Sequence, residues 1–177
     1  RSLAGDPLQD RFWRVHAQWN ERQSAVEQMK LYLPHYERIR RLHPQIALNE
    51  ATAQLYFDFG LVFFRGGRCD LAEEPLLAVA NLDDPRVMAL PDLKANACYL
   101  LALIRQRDKN VPEALRWAKR AVDEAGDRIV GLIGGIGIEG GRHGRGSTSN
   151  LKSLATDLMA RLRADPNAPF QSPFGDP

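Results

Sequence analysis

Two cysteines, Cys69 and Cys98, leave this chain room for one disulfide at most, and neither has a second cysteine or a histidine at zinc-site spacing. His16, His35, His43 and His143 are scattered, without any pair at ligand spacing, so no metal is expected. No run of about 18 apolar residues occurs, so no segment is expected to insert into a bilayer. Charge of one sign is also lacking: a net charge of +2 is too small to imply nucleic acid or an anionic membrane as the partner. There is no Gly-x-Ser-x-Gly elbow, and no Gly-Lys-Ser/Thr closes the glycine run into a phosphate loop. These absences remove the usual signs of an enzyme, and no cofactor is expected. The chain opens at Arg1 with neither methionine nor an apolar leader, so it reads as an excised domain or processed product whose compartment is not written in it.

What is present is enough apolar material for a core. At 177 residues and 44% apolar, the chain can fold as one domain without staples. Periodicity near 3.6 runs through every long segment outside the glycines, so the expected class is all-α.

The region 6–44 is expected to form an N-terminal helical cap. Asp6 and Pro7 suit a helix start, and Leu8, Phe12, Val15, Trp19, Ala25, Met29 and Tyr32 recur at mostly three-to-four spacing, predicting one long helix to Leu33. Pro34 should break it, with a short helix from His35 to Leu42 stopped in turn by His43-Pro44. Arg38, Arg40, Arg41 and His43 form the densest basic cluster, with Trp13, Trp19 and Tyr36 as stacking candidates. Glu37 and the low net charge favour a solvated helix face over a nucleic-acid surface.

The region 49–126 carries an internal repeat. Tyr56, Phe59, Gly60 and Phe63 precede the Gly66-Gly67 break, and Ala72, Leu76 and Val79 follow it. In the second copy Cys98, Leu101 and Ala102 precede a polar break, and Ala114, Ala118 and Ala121 follow. Gly60 and Ala102, Ala72 and Ala114, and Val79 and Ala121 are each 42 residues apart, one constant offset relating two helix-turn-helix units. Each second helix is expected to open on a capping residue followed three positions later by Glu: Asp70 with Glu73, and Asn110 with Glu113. Cys98 falls on the apolar side of its helix, whereas Cys69 lies in a turn and is expected to be exposed.

This pattern resembles the tetratricopeptide repeat (TPR) family: a small residue where the hairpin helices cross, at Gly60 and Ala102; an alanine opening the second helix, at Ala72 and Ala114; and Pro85 near the terminal proline. The offset exceeds the family period of about 34 residues, which fits an enlarged loop from Asn81 to Pro91, and Arg105 stands where the first copy has Phe63. The resemblance implies antiparallel hairpins, a fragment of an α-solenoid between two capping helices. It also implies a non-enzymatic scaffold or adaptor that binds another protein or peptide on the concave face. The first helices line that face in the family, so the matched partner-binding positions are Gln54, Phe57, Leu61, Phe64 and Arg65 from one copy and Asn96, Tyr99, Leu103, Gln106 and Arg107 from the other. Phe57 and Leu61 stand where carboxylate-clamping members carry a Lys and an Asn, so an apolar or amphipathic segment is the expected ligand. A homodimer through the same apolar faces is the structural alternative.

After Gly126 the composition changes. The region 127–149 reads as a Gly-rich connection, with at most a short ribbon between Arg128 and Ile138 and a mobile stretch over 140–149. Gly135, Gly137 and Gly140 match the dinucleotide fingerprint G-x-G-x-x-G, but the residues that follow do not read as a helix. A nucleotide-binding protein is thus the weaker alternative. Over 150–164, Ser149 or Asn150 should cap a helix with the stripe Leu151, Leu154, Leu158 and Leu162. The tail 165–177 holds Pro166, Pro169, Pro173 and Pro177 and cannot be helical; Phe170 and Phe174 either dock on the domain or hang free.

Overall fold

Helix starts are set by side chains that satisfy otherwise orphan backbone N–H groups. At Ser24 the hydroxyl accepts from the Glu27 N–H at 3.2 Å, and the Glu27 carboxylate accepts from the Ser24 N–H at 3.4 Å. The computed structural model describes residues 24–46, 48–87, 90–134 and 150–175. Among them are six helices: α1 (Ala25–Leu42), α2 (Glu50–Arg65), α3 (Cys69–Ala80), α4 (Leu90–Arg107), α5 (Val111–Ala125) and α6 (Leu151–Ala164). The all-α class is therefore observed. The sequence expectations for residues 6–23, for the Gly135–Gly140 motif and for mobility over 140–149 lie outside the described residues.

Two expectations for the N-terminal cap are corrected. The chain is extended at Ser24, so a helix continuous from residue 6 to Leu33 is interrupted there. Pro34, by contrast, does not end α1, which runs through it to Leu42. An interior proline costs about 3 kcal/mol, and here buried side chains on both sides of it offset that loss. Tyr32, Tyr36 and Ile39 are buried, and the Tyr36 ring packs 5.2 Å from both Phe59 and Phe63 of α2. The end at His43 is as expected, with its N–H bonded back to the Ile39 carbonyl at 2.8 Å.

Between α2 and α3 the turn is a Schellman motif: Arg68 N–H reaches the Phe63 carbonyl at 2.9 Å and Gly67 N–H reaches Phe64 at 3.1 Å, with Gly67 at φ +81°. The turn between α4 and α5 repeats it bond for bond, Asn110 N–H to Arg105 at 2.8 Å and Lys109 N–H to Gln106 at 3.0 Å. Lys109, at φ +58°, takes the left-handed position of Gly67. Gly67 and Lys109 are also 42 residues apart, so the repeat offset extends through the turn.

The helix caps differ from one hairpin to the other. Asn110 caps α5 through its side chain, accepting from the Glu113 N–H at 3.3 Å, with Pro112 in the first turn. Helix α3 has no side-chain cap: it begins at Cys69, one residue before the predicted Asp70 cap, and Asp70 instead pairs with Arg68 at 2.8 Å. Starting the helix at Cys69 turns that side chain inward, so Cys69 is buried and the expectation of an exposed thiol is corrected. Cys98 is buried as expected, and both cysteines are free.

Each helix packs on its neighbour in sequence, and in addition α2 packs on α4 and α4 on α6. The first helices of the two hairpins and α6 thus form one layer, while α3 and α5 lie behind it. The crossing of α2 over α3 places Gly60 so close to Leu76 that a Cβ would come within 2.6 Å of the leucine side chain. Helix α6, capped by Asn150, one of the two residues the sequence offered, buries Leu151, Leu158 and Leu162 chiefly against α5. The expected ribbon reduces to one antiparallel bridge between Gly131 and Asn150 among the described residues.

Candidate functional site

Helix α2 is apolar nearly all round, and a helix of that composition buries both faces. The ten predicted positions therefore divide into two groups. Phe57, Leu61 and Leu103 are 0%, 0% and 1% exposed, and Tyr99 is also buried. The expectation that these side chains face solvent is corrected, because the continuous core to which they belong also takes in Val130, with Leu132 and Ile133 packed against it. What covers the first-helix layer is the chain's own polypeptide.

The other positions make that coverage specific. Asn96, fully buried, donates its amide to the Gly131 carbonyl at 3.1 Å and accepts the Ile133 N–H at 2.9 Å, gripping main chain on both sides of Leu132. Its amide also donates to its own helix at the Asp92 carbonyl, 3.0 Å away. The matched residue of α2, Gln54, turns to Asp58 at 3.0 Å instead. Arg65 donates to the Gly134 carbonyl at 2.6 Å. The non-helical segment 131–134 is thus held against α2 and α4 by polar side chains that bond its backbone.

At the C-terminal ends of these two helices lies the second occupant, the tail. Phe64 meets Phe170 and Phe174 edge-on, at centroid separations of 6.1 and 5.9 Å. The Arg65 guanidinium lies 5.5 Å from the Phe174 ring centre, and that of Arg107 lies 5.9 Å from Phe170. Gln106 donates to the Ala168 carbonyl at 3.3 Å. Arg107 is anchored by bonds to the Gly67 carbonyl at 3.2 Å and the Cys69 sulfur at 3.1 Å. A cavity of about 410 Å³ remains beside the tail, lined among others by Phe64, Arg65, Cys69, Arg107 and Ser172. Burial pushes the Cys69 thiol above its ordinary range, with Arg107 opposing, which keeps it protonated and weakly nucleophilic.

Periodicity could not disclose these occupants, because neither segment is helical. One signal was available: two phenylalanines four residues apart, each preceded by proline, in an otherwise polar tail.

Elsewhere the chemistry is structural. The basic cluster of α1 stays largely at the surface, with Arg40, Arg41 and His43 exposed and Arg40 pairing with Glu74 at 2.8 Å, while Tyr36 is buried. Glu73 bonds Arg105 at 2.5 Å, tying α3 to α4, which is how an arginine is accommodated opposite Phe63 of the first copy. A second depression, about 500 Å³, is lined by Arg105, Arg116, Trp117 and Arg120, but these arginines are engaged by Glu73, Glu113 and the Ala80 carbonyl. No group of three His, Cys, Asp or Glu among the described residues is placed to hold a metal ion, and no described helix is long and apolar enough to cross a membrane.

The fold and site together define an all-α array of helical hairpins whose first-helix layer is covered by two non-helical segments of the same chain. No protein-family model, curated protein or solved structure matches the chain.

Proposed function

We propose that this chain is a non-enzymatic polypeptide-binding module of tetratricopeptide-like design, taking an extended segment of another protein on the layer formed by α2 and α4. The observation that supports it is the bonding of Asn96 to both sides of Leu132: an amide that donates to one carbonyl and accepts the next N–H but one recognises extended main chain whatever its side chains. Arg65, Gln106 and Arg107 act in the same sense on main chain or on aromatic rings. Hydrogen bonds to backbone give affinity, and the aromatic contacts give selectivity.

The test is selection from a displayed random-peptide library on the immobilised chain. Enriched peptides should lose binding at least tenfold to Arg107→Glu, at the exposed end of α4, and to Gln106→Ala, a buried position whose variant is first checked for folding by circular dichroism. Peptides that bind these variants as well as the parent, or no enrichment at all, would remove the reading.

A further inference from the structure

Resting on that reading, we infer the chemistry of the ligand: a segment bearing two Pro-Phe dipeptides four residues apart, the second in a turn, of which the chain's own tail is the resident copy. The tail reads Pro169-Phe170 and Pro173-Phe174, and each phenylalanine has the same surroundings, an edge contact with Phe64 and an arginine guanidinium over its face.

Those arginines, Arg65 and Arg107, are 42 residues apart, the repeat offset, so each hairpin supplies one equivalent cation to one of the two rings. The two arginines are repeat-related, while both rings share the one Phe64, whose counterpart in the second hairpin is Gln106. Neighbouring helices lie about 8 to 10 Å apart, and four residues of extended chain reach roughly 13 Å. The turn at the second dipeptide, where the Phe174 N–H bonds the Ser172 hydroxyl at 3.3 Å and Gly175 adopts φ +84°, shortens that reach. The helix spacing therefore acts as a ruler on the separation of the two rings.

The resident copy is built to leave. Its ordering bonds are largely internal, Asn167 N–H to the Asp165 carboxylate at 2.9 Å and Ala168 N–H to the Asp165 carbonyl at 3.0 Å, and these survive displacement. Phe170 and Phe174 are only half-buried, and the 410 Å³ cavity beside them gives an incoming segment a place to begin. Proline before each ring fixes its own φ in the free ligand and so lowers the entropy lost on docking. The occupant in trans is accordingly a partner protein's Pro-Phe segment in competition with the tail.

The probe is a fluorescent peptide of residues 164–177, titrated by anisotropy into the full chain and into the full chain carrying Phe170→Ala and Phe174→Ala. The double variant should bind at least tenfold more tightly than the parent. Adding Arg107→Gln should weaken it several-fold, and a peptide with two glycines inserted between the Pro-Phe units should bind at least tenfold more weakly. If the double variant fails to fold, Phe174→Ala alone carries the same comparison. No binding to a folded variant, or binding indifferent to the inserted glycines, overturns the assignment. So does a parent dimer in sedimentation that the double variant loses, because the groove would then hold a second copy's tail. Library peptides that bind but lack phenylalanine, with the tail peptide inert, would sink this inference and leave polypeptide binding standing.

Discussion

In the first hairpin a glycine, Gly60, meets a leucine, Leu76; at the corresponding positions of the second hairpin stand Ala102 and Ala118, all buried. Volume removed from one helix is returned on the other, so both crossings close, but by different pairs. The same contrast runs through the layer. The first hairpin is aromatic and joins α1 through Tyr32, Tyr36, Phe59 and Phe63, whereas the second is built from leucine and alanine and makes the more extensive helix-to-helix contact. Close backbone approach of alanine-lined helices replaces ring packing. A repeat in this chain conserves geometry rather than residue identity.

The largest effects should come from emptying either core. Phe59→Ala should destabilise by about 3 to 5 kcal/mol and its counterpart Leu101→Ala by about 2 to 5 kcal/mol, read by urea unfolding. Both residues are fully buried, so tolerance of either would break the register on which the comparison rests.

Next is the crossing pair. Gly60→Ala drives a Cβ into Leu76 and should cost about 1 to 3 kcal/mol, although alanine is the better helix former. Leu76→Ala alone leaves a cavity and should cost about 2 to 5 kcal/mol. The double variant, which copies the second hairpin, should be more stable than the sum of the singles by at least about 1 kcal/mol. Strict additivity in that cycle would mean that the crossings do not exchange volume.

Asp58 is a buried acid where the second hairpin has Leu100. Desolvation raises its carboxyl from 3.8 to about 7, against the opposing hydrogen bond from Gln54. The folded chain then keeps a proton that the unfolded chain releases, so the contribution is intact below about pH 4 and is lost as pH rises to about 7. Asp58→Asn keeps an acceptor for Gln54 and should flatten that decline, giving a gain of the order of 2 to 4 kcal/mol at pH 8 at about 1.4 kcal/mol per unit. Parallel pH profiles of melting temperature for parent and variant would reject this.

The smallest effect separates the turns. Lys109 occupies the left-handed position that Gly67 fills in the first hairpin, so Lys109→Gly should stabilise by about 0.5 to 1 kcal/mol, while Gly67→Lys should destabilise by about 1 to 2 kcal/mol. Equal and small responses at both turns would show that the second one relaxes around its lysine.

Helical class, the two hairpins, their offset, the Asn110 and Asn150 caps and the stripe of α6 were legible in the sequence, since they depend on residues close along the chain. Of the candidate positions, Asn96, Gln106, Arg65 and Arg107 contact the chain's own segments 131–134 and 165–175, whereas Phe57, Leu61, Tyr99 and Leu103 went into the core; docking of Phe170 and Phe174 was one of the two readings the sequence offered, and the 131–134 segment was not foreseen.

What the sequence by itself determined is the period and the punctuation: 3.6-residue spacing, small residues at a constant interval, and capping side chains beside the N–H groups they satisfy. Local chemistry suffices for these because each bond closes within four residues. The tertiary structure alone decided that α1 continues through Pro34, that Cys69 turns inward, and that the segment 131–134 covers the first-helix layer with the tail at its C-terminal end. In each case the deciding energy is burial against residues distant in sequence, and one strand of text does not say which distant surface will arrive.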